Sequence, residues 1–178
     1  MKKTLKKAVG IFLSLCLLLS VFPADSWLSG TAMAAANGAL KNGELTSNAD
    51  GWNSTGTYGY KFDEGYLSLW AENAGAFSIS QTVENMAAGD YVAKVAAVGD
   101  KNETPLKLTI TNNDSQESET VAITQKGWDD NWGVNNVCAT KSLTVAEGQS
   151  VTVTISGDIP AGEWYGIKNV ALEASQAV

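Results

Sequence analysis

From Asn37 onward the chain is a succession of short runs of Val, Ile, Thr, Tyr and Leu, separated by Gly, Asn and Asp at turn-like intervals. Alternation of apolar and polar residues suits strands, whose successive side chains point to opposite faces, and no stretch carries the period of an amphipathic helix. Tyr66-Leu67-Ser68-Leu69-Trp70 sets Leu67 and Leu69 on one face and Tyr66 and Trp70 on the other. The run from Phe77 to Val83 turns Phe77, Ile79 and Val83 inward. Residues 91–98 are almost wholly apolar and read as a central strand covered on both faces. Leu106, Leu108 and Ile110 point inward, Val121 and Ile123 mark another run, and residues 151–155 alternate most cleanly. Residues 134–145 read as one long strand or two joined by a kink, and a final strand spans about 164–173, with Ile167, Val170 and Leu172 inward. Many short strands in one domain predict an all-β fold, an antiparallel β-sandwich or barrel.

The amino terminus has a different character. Lys2, Lys3, Lys6 and Lys7 precede an apolar core over residues 11–21, followed by small-x-small sites at Ala32-Met33-Ala34 and Ala34-Ala35-Ala36. This is the pattern of a secretory signal peptide over residues 1–36, with the mature domain at 37–178. The apolar core is too short for a transmembrane helix of about 20 residues, so no membrane attachment is expected after cleavage. Cys16 lies inside that core and lacks the preceding small residue of a lipidation site. The expected location is therefore extracellular. The last strand ends close to Val178, which leaves a longer parent protein as an open reading.

After cleavage 8 Lys face 18 acids, a net charge of −10. Such a field repels nucleic acid and anionic membranes, and a monomer is expected. One Cys remains, Cys138, so no internal disulfide can form; its strand-like setting reads as a small buried hydrophobe. The chain has no His, which removes Ser-His-Asp triads, Cys-His pairs and His metal ligands. Carboxylate pairs such as Asp129-Asp130, or Glu163, could serve glycoside hydrolysis, but acids are so numerous that surface solvation explains them. A non-enzyme is the expectation.

Five Trp remain in the mature chain. Indole and phenol rings pack on the C–H face of a pyranose while amides and carboxylates bind its hydroxyls. Gly127-Trp128-Asp129-Asp130-Asn131-Trp132-Gly133 puts two Trp around short polar residues, so Trp128 and Trp132 are candidate stacking residues and Asp129, Asn131 and Asn135 candidate hydroxyl partners. The competing reading makes one of that pair a plug at the end of the sandwich. Trp164 and Tyr165 must point to opposite sides of an extended backbone, and Trp164 is the expected contact. Trp70 either lies on an open sheet face with Tyr66 or packs under a loop. Gln81 is a further polar candidate. Trp52, after a turn Gly, reads as core, and Tyr58 and Tyr60 share a face that would form a rim.

Several segments together resemble bacterial jelly-roll carbohydrate-binding modules. Leu40-Lys41-Asn42-Gly43-Glu44-Leu45 followed by Gly51-Trp52 is similar to their opening, and Ser80-Gln81-Thr82-Val83 before Gly89-Asp90-Tyr91 to a strand pair. Residues 148–153 and 164–172 resemble their last two strands, and Ala161-Gly162-Glu163-Trp164 is most similar to galactan-binding modules attached to endo-galactanases. The resemblance implies a jelly-roll β-sandwich that holds a polysaccharide, β-galactan or another plant cell-wall glycan. It also implies a structural Ca²⁺ near the opening motif. Glu44-Leu45 and Lys168-Asn169, however, replace the family's Phe-Glu and its acidic pair, and a Lys there opposes a cation. Two other readings stand beside this one: a structural or adhesion β-sandwich, and the accessory fragment of a secreted galactanase.

Overall fold

The computed structural model describes residues 40–63, 65–100, 106–124 and 127–175. The signal-peptide reading of residues 1–36 lies outside them. Among the described residues eleven strands and one helical turn follow in chain order: β1 (Asn53–Gly56), β2 (Tyr60–Asp63), β3 (Tyr66–Trp70), β4 (Gly75–Val83), β5 (Gly89–Gly99), β6 (Lys107–Asn112), β7 (Ser118–Ala122), α1 (Trp132–Asn135), β8 (Val137–Ala139), β9 (Leu143–Val145), β10 (Val151–Ile159) and β11 (Trp164–Ala174). One sheet has the order β1-β4-β10-β6-β7; the other runs β2-β3-β11-β5-β8, with β9 also on β5. Every pairing is antiparallel. The architecture is an antiparallel β-sandwich of jelly-roll type.

Alternation generates the core. Leu67, Leu69, Val95, Ala97, Tyr165 and Ile167 come from one sheet, and Phe77, Ile79, Leu108, Ile110, Val153 and Ile155 from the other. All twelve are buried, each large side chain contributing about 1.5–3 kcal/mol of hydrophobic stabilisation. The inward positions expected at 106–110, 151–155 and 167–172 are all found there. Val83 is only half-buried.

β5 alternates in its first half and is covered on both faces in its second, where Ala96 and Val98 are buried too. These two residues, with Trp132, form a small second cluster on the outer face of the sheet, against which Tyr66 and Trp164 pack. That cluster explains a departure from the sequence reading at residues 134–145. The expected strand begins instead as the helical turn α1, and β8 and β9 pair with separate stretches of β5. Trp132 drives the change, since a turn carries its ring onto Ala96 and Val98, off the plane of the sheet. Cys138, on edge strand β8, is half-buried with a free thiol near the Thr124 hydroxyl (3.7 Å), less enclosed than expected.

Candidate functional site

The outer face of the β2-β3-β11-β5-β8 sheet gathers aromatic residues from distant parts of the chain. Trp70 of β3 stands directly opposite Trp164 of β11 in the strand register. Their neighbours Leu69 and Tyr165 point into the core, so both indoles emerge on the outer side. Trp70 is 53% exposed, and Trp164 is half-buried against the Ala96-Val98-Trp132 cluster. Tyr66 lies further along β3 on the same face. Its ring covers Gly166, where a Cβ would come within 3.2 Å of Tyr66 and 3.0 Å of Val98. Glycine at 166 is what lets the phenol lie across the strand.

The loop before α1 completes the face. Trp128 is 55% exposed, with its ring centroid 6.1 Å from Tyr66 and 6.4 Å from Trp132. Tyr66 meets Trp132 edge-on at 5.6 Å. Trp132 is only 2% exposed, so it is the pedestal of this group; the expectation that it meets ligand is corrected by its burial against β5. The Lys168 ammonium sits 4.1 Å from the centre of the Trp132 ring, a cation–π contact. Asp129 braces the loop: its carboxylate accepts from the Asn131 N–H (2.9 Å) and the Asn135 side-chain amide (2.6 Å). These bonds shape the turn that carries Trp128. Asn131 is exposed beside it, and the Trp128 indole N–H donates to Asp130 (3.4 Å).

Gln81 is also corrected. It occupies an inward position of β4, only 5% exposed, and its amide donates to the Lys41 carbonyl (2.9 Å) while accepting from the Lys41 N–H (2.5 Å). It fastens the opening loop and lies in the interior, away from the aromatic face. Trp52 is core as expected and donates to the carbonyls of Lys41 and Asn42. Tyr58 and Tyr60 do not make a rim. Tyr58 is buried, its hydroxyl donating to the carbonyls of Glu163 and Pro160, and only Tyr60 is exposed.

The resemblance implied Ca²⁺ near the opening motif. A shallow pocket there is lined by Asn42, Gly43, Glu44, Asn169 and Val170. Ca²⁺ asks for six to eight oxygens. Glu44 is the one carboxylate lining the pocket, and the Gly43 and Glu44 carbonyls already accept from the Val170 and Asn169 N–H groups. Among the described residues no group of three or more His, Cys, Asp or Glu side chains could hold a metal ion. The residues present do not fit a Ca²⁺ site.

The fold is shared with known carbohydrate-binding modules. No protein-family model and no curated protein sequence matches the chain. Among solved structures it is similar to TmCBM61 in complex with β-1,4-galactotriose, with a TM-score of 0.55, 20% identity, and 78% of this chain and 99% of that one covered. A second family 16 carbohydrate-binding module aligns with a TM-score of 0.54, 12% identity, and coverage of 75% and 98%. The enzymatically active domain of bacteriophage CBA120 tailspike protein 4 aligns with a TM-score of 0.52 and 14% identity over 79% of this chain but 22% of its own. At these identities the likeness is one of fold: the β-sandwich of carbohydrate-binding modules, which also recurs within a larger phage protein.

Proposed function

We propose that this chain is a non-catalytic polysaccharide-binding module, exported through cleavage of residues 1–36 and acting outside the cell. Its ligand is a plant cell-wall glycan, with β-galactan first. The observation that carries this reading is the outer-face platform of Trp70, Trp164, Tyr66 and Trp128. In a domain whose residues 37–178 carry a net charge of −10, two half-exposed indoles on one face represent a large apolar surface left open to solvent. A pyranose face covers such rings without desolvating charge. The shared fold with a module solved on galactotriose supports β-galactan as the first ligand to test.

Affinity gel electrophoresis with galactan, xylan, mannan, β-glucan or no polysaccharide tests the proposal. Retardation by one glycan, relieved in Trp70→Ala and Trp164→Ala, is the expected result. Unchanged mobility across the panel overturns it and favours a structural or adhesion role.

A further inference from the structure

We infer that the platform holds two separate sugar stations, and that Lys168 belongs to the second as its hydrogen-bond donor. This inference rests on the polysaccharide reading. The first station is the Trp70-Trp164 pair. The second comprises Trp128, Tyr66 and Lys168.

Register sets their separation. Tyr66 lies four residues from Trp70 along β3, so the two rows are about 13 Å apart at the usual strand rise. The row between them holds Ser68 and Gly166, and the Tyr66 ring leans back over Gly166, so Tyr66 bridges the space between the rows. A longer chain laid along β3 and β11 meets Trp70 and Trp164 at one end and Tyr66 with Trp128 at the other, contacts that a disaccharide on the first pair makes only in part. Linking two weak contacts through one ligand makes the second contact intramolecular, so affinity climbs once the chain spans the gap.

Lys168 supplies what the aromatic rings lack. It faces outward on β11 opposite Ala96, in the row that also contains Tyr66. It is half-buried, and its ammonium rests on the Trp132 ring. Among the described residues that ring is its one polar or charged partner: no carboxylate pairs with it, although the protein is strongly acidic. One side of the ammonium is held by the indole and another lies against Gly133, where a Cβ would come within 3.2 Å of Nζ; the remaining N–H groups are left to donate to hydroxyl oxygens of a sugar stacked on Trp128 and Tyr66.

The test uses titration calorimetry with the disaccharide and pentasaccharide of whichever polysaccharide retards the wild type, β-1,4-galactobiose and galactopentaose first. Trp128→Ala and Lys168→Met are each expected to weaken the pentasaccharide about tenfold, the size of one charged hydrogen bond or stacking contact. Lys168→Arg keeps the charge and retains most of the affinity. The disaccharide is weakened by variants at one station only. Should Lys168→Met unsettle Trp132, which the thermal midpoint shows, Trp128→Ala carries the test, since it removes an exposed ring. Undiminished pentasaccharide binding in Trp128→Ala overturns the second station. Loss in Trp128→Ala with none in Lys168→Met removes Lys168 from it. A disaccharide weakened equally by variants at both ends reduces the two stations to one site. A wild type that no polysaccharide retards refutes the parent reading instead.

Discussion

Trp128 and Trp132 are four positions apart and have opposite tasks. Trp132 is buried against Ala96 and Val98, so Trp132→Ala leaves a cavity under Tyr66 and costs about 3 kcal/mol or more. Trp128→Ala removes a ring already half in water and is expected to change stability by less than about 1 kcal/mol, because little buried contact is lost. Urea denaturation of both variants, beside their gel retardation, separates pedestal from contact. A fall in midpoint for Trp128→Ala as large as that for Trp132→Ala would sink this division. Gly166 offers a finer probe on the same face. A methyl there crowds the Tyr66 ring and Val98, and the surface phenol is the freer of the two to move. Gly166→Ala should therefore tilt Tyr66 and weaken glycan binding several-fold, at a stability cost of about 1 kcal/mol or more because buried Val98 must give as well. The readout is calorimetric affinity together with the thermal midpoint.

At the scale of elements, α1 is the piece that assembles the second station, and Asp129 is its fastening. The Asp129 carboxylate bonds the Asn131 N–H and the Asn135 amide, and its carbonyl accepts from the Trp132 N–H (2.9 Å). Asp129→Ala removes the side-chain bonds, at a cost of about 1 kcal/mol typical of lost side-chain hydrogen bonds. Hydrogen exchange should then quicken at Val134, Asn135 and Asn136 while the strands keep their protection; uniform protection across both would show that α1 holds without the Asp129 side chain. The strands around α1 were legible because alternation over five or more residues is a local signal: Leu67 with Leu69, Leu106 with Leu108, and Val151 with Val153 all fell inward. The pairing of Trp70 with Trp164 was half legible. Each could be assigned a face from its own strand, but their meeting depends on the β3-β11 register, which joins residues almost a hundred positions apart. The helical turn was hidden because four residues are too few to show a period, and only Trp132's need for a buried surface dictates it. Gln81 was misplaced for a related reason: its polarity suggested a ligand, while its position between Ile79 and Val83 already put it inward. The alternation was the better guide, and the Lys41 backbone satisfies the amide it buries.

The molecule as a whole stands on its apolar core, with Tyr58 and Tyr91 as buried hydroxyls near its ends. Burial pushes both phenols above their ordinary value of about 10; the Glu163 and Asp100 carboxylates add to the rise at Tyr58, against a lowering backbone contact at Ala71, and Glu147 adds to it at Tyr91. The sign of the consequence follows from proton binding. Below pH 10 both residues are protonated in the folded and unfolded chain alike, so they make stability independent of pH there. Above pH 10 the unfolded chain loses these protons while the folded one keeps them, and stability falls until the folded phenols ionise as well. Each tyrosine steepens that fall by at most about 1.4 kcal/mol per pH unit. Denaturant midpoints measured from pH 8 to pH 11 should therefore hold nearly level and then drop. In Tyr58→Phe/Tyr91→Phe the baseline is lower, because the hydroxyl bonds to Glu163, Pro160 and Ala87 are gone, but the drop above pH 10 is shallower. An equally steep decline in the double variant would mean that the alkaline loss comes from the general negative charge of the chain, which grows as its lysines neutralise, and owes nothing to the two buried phenols.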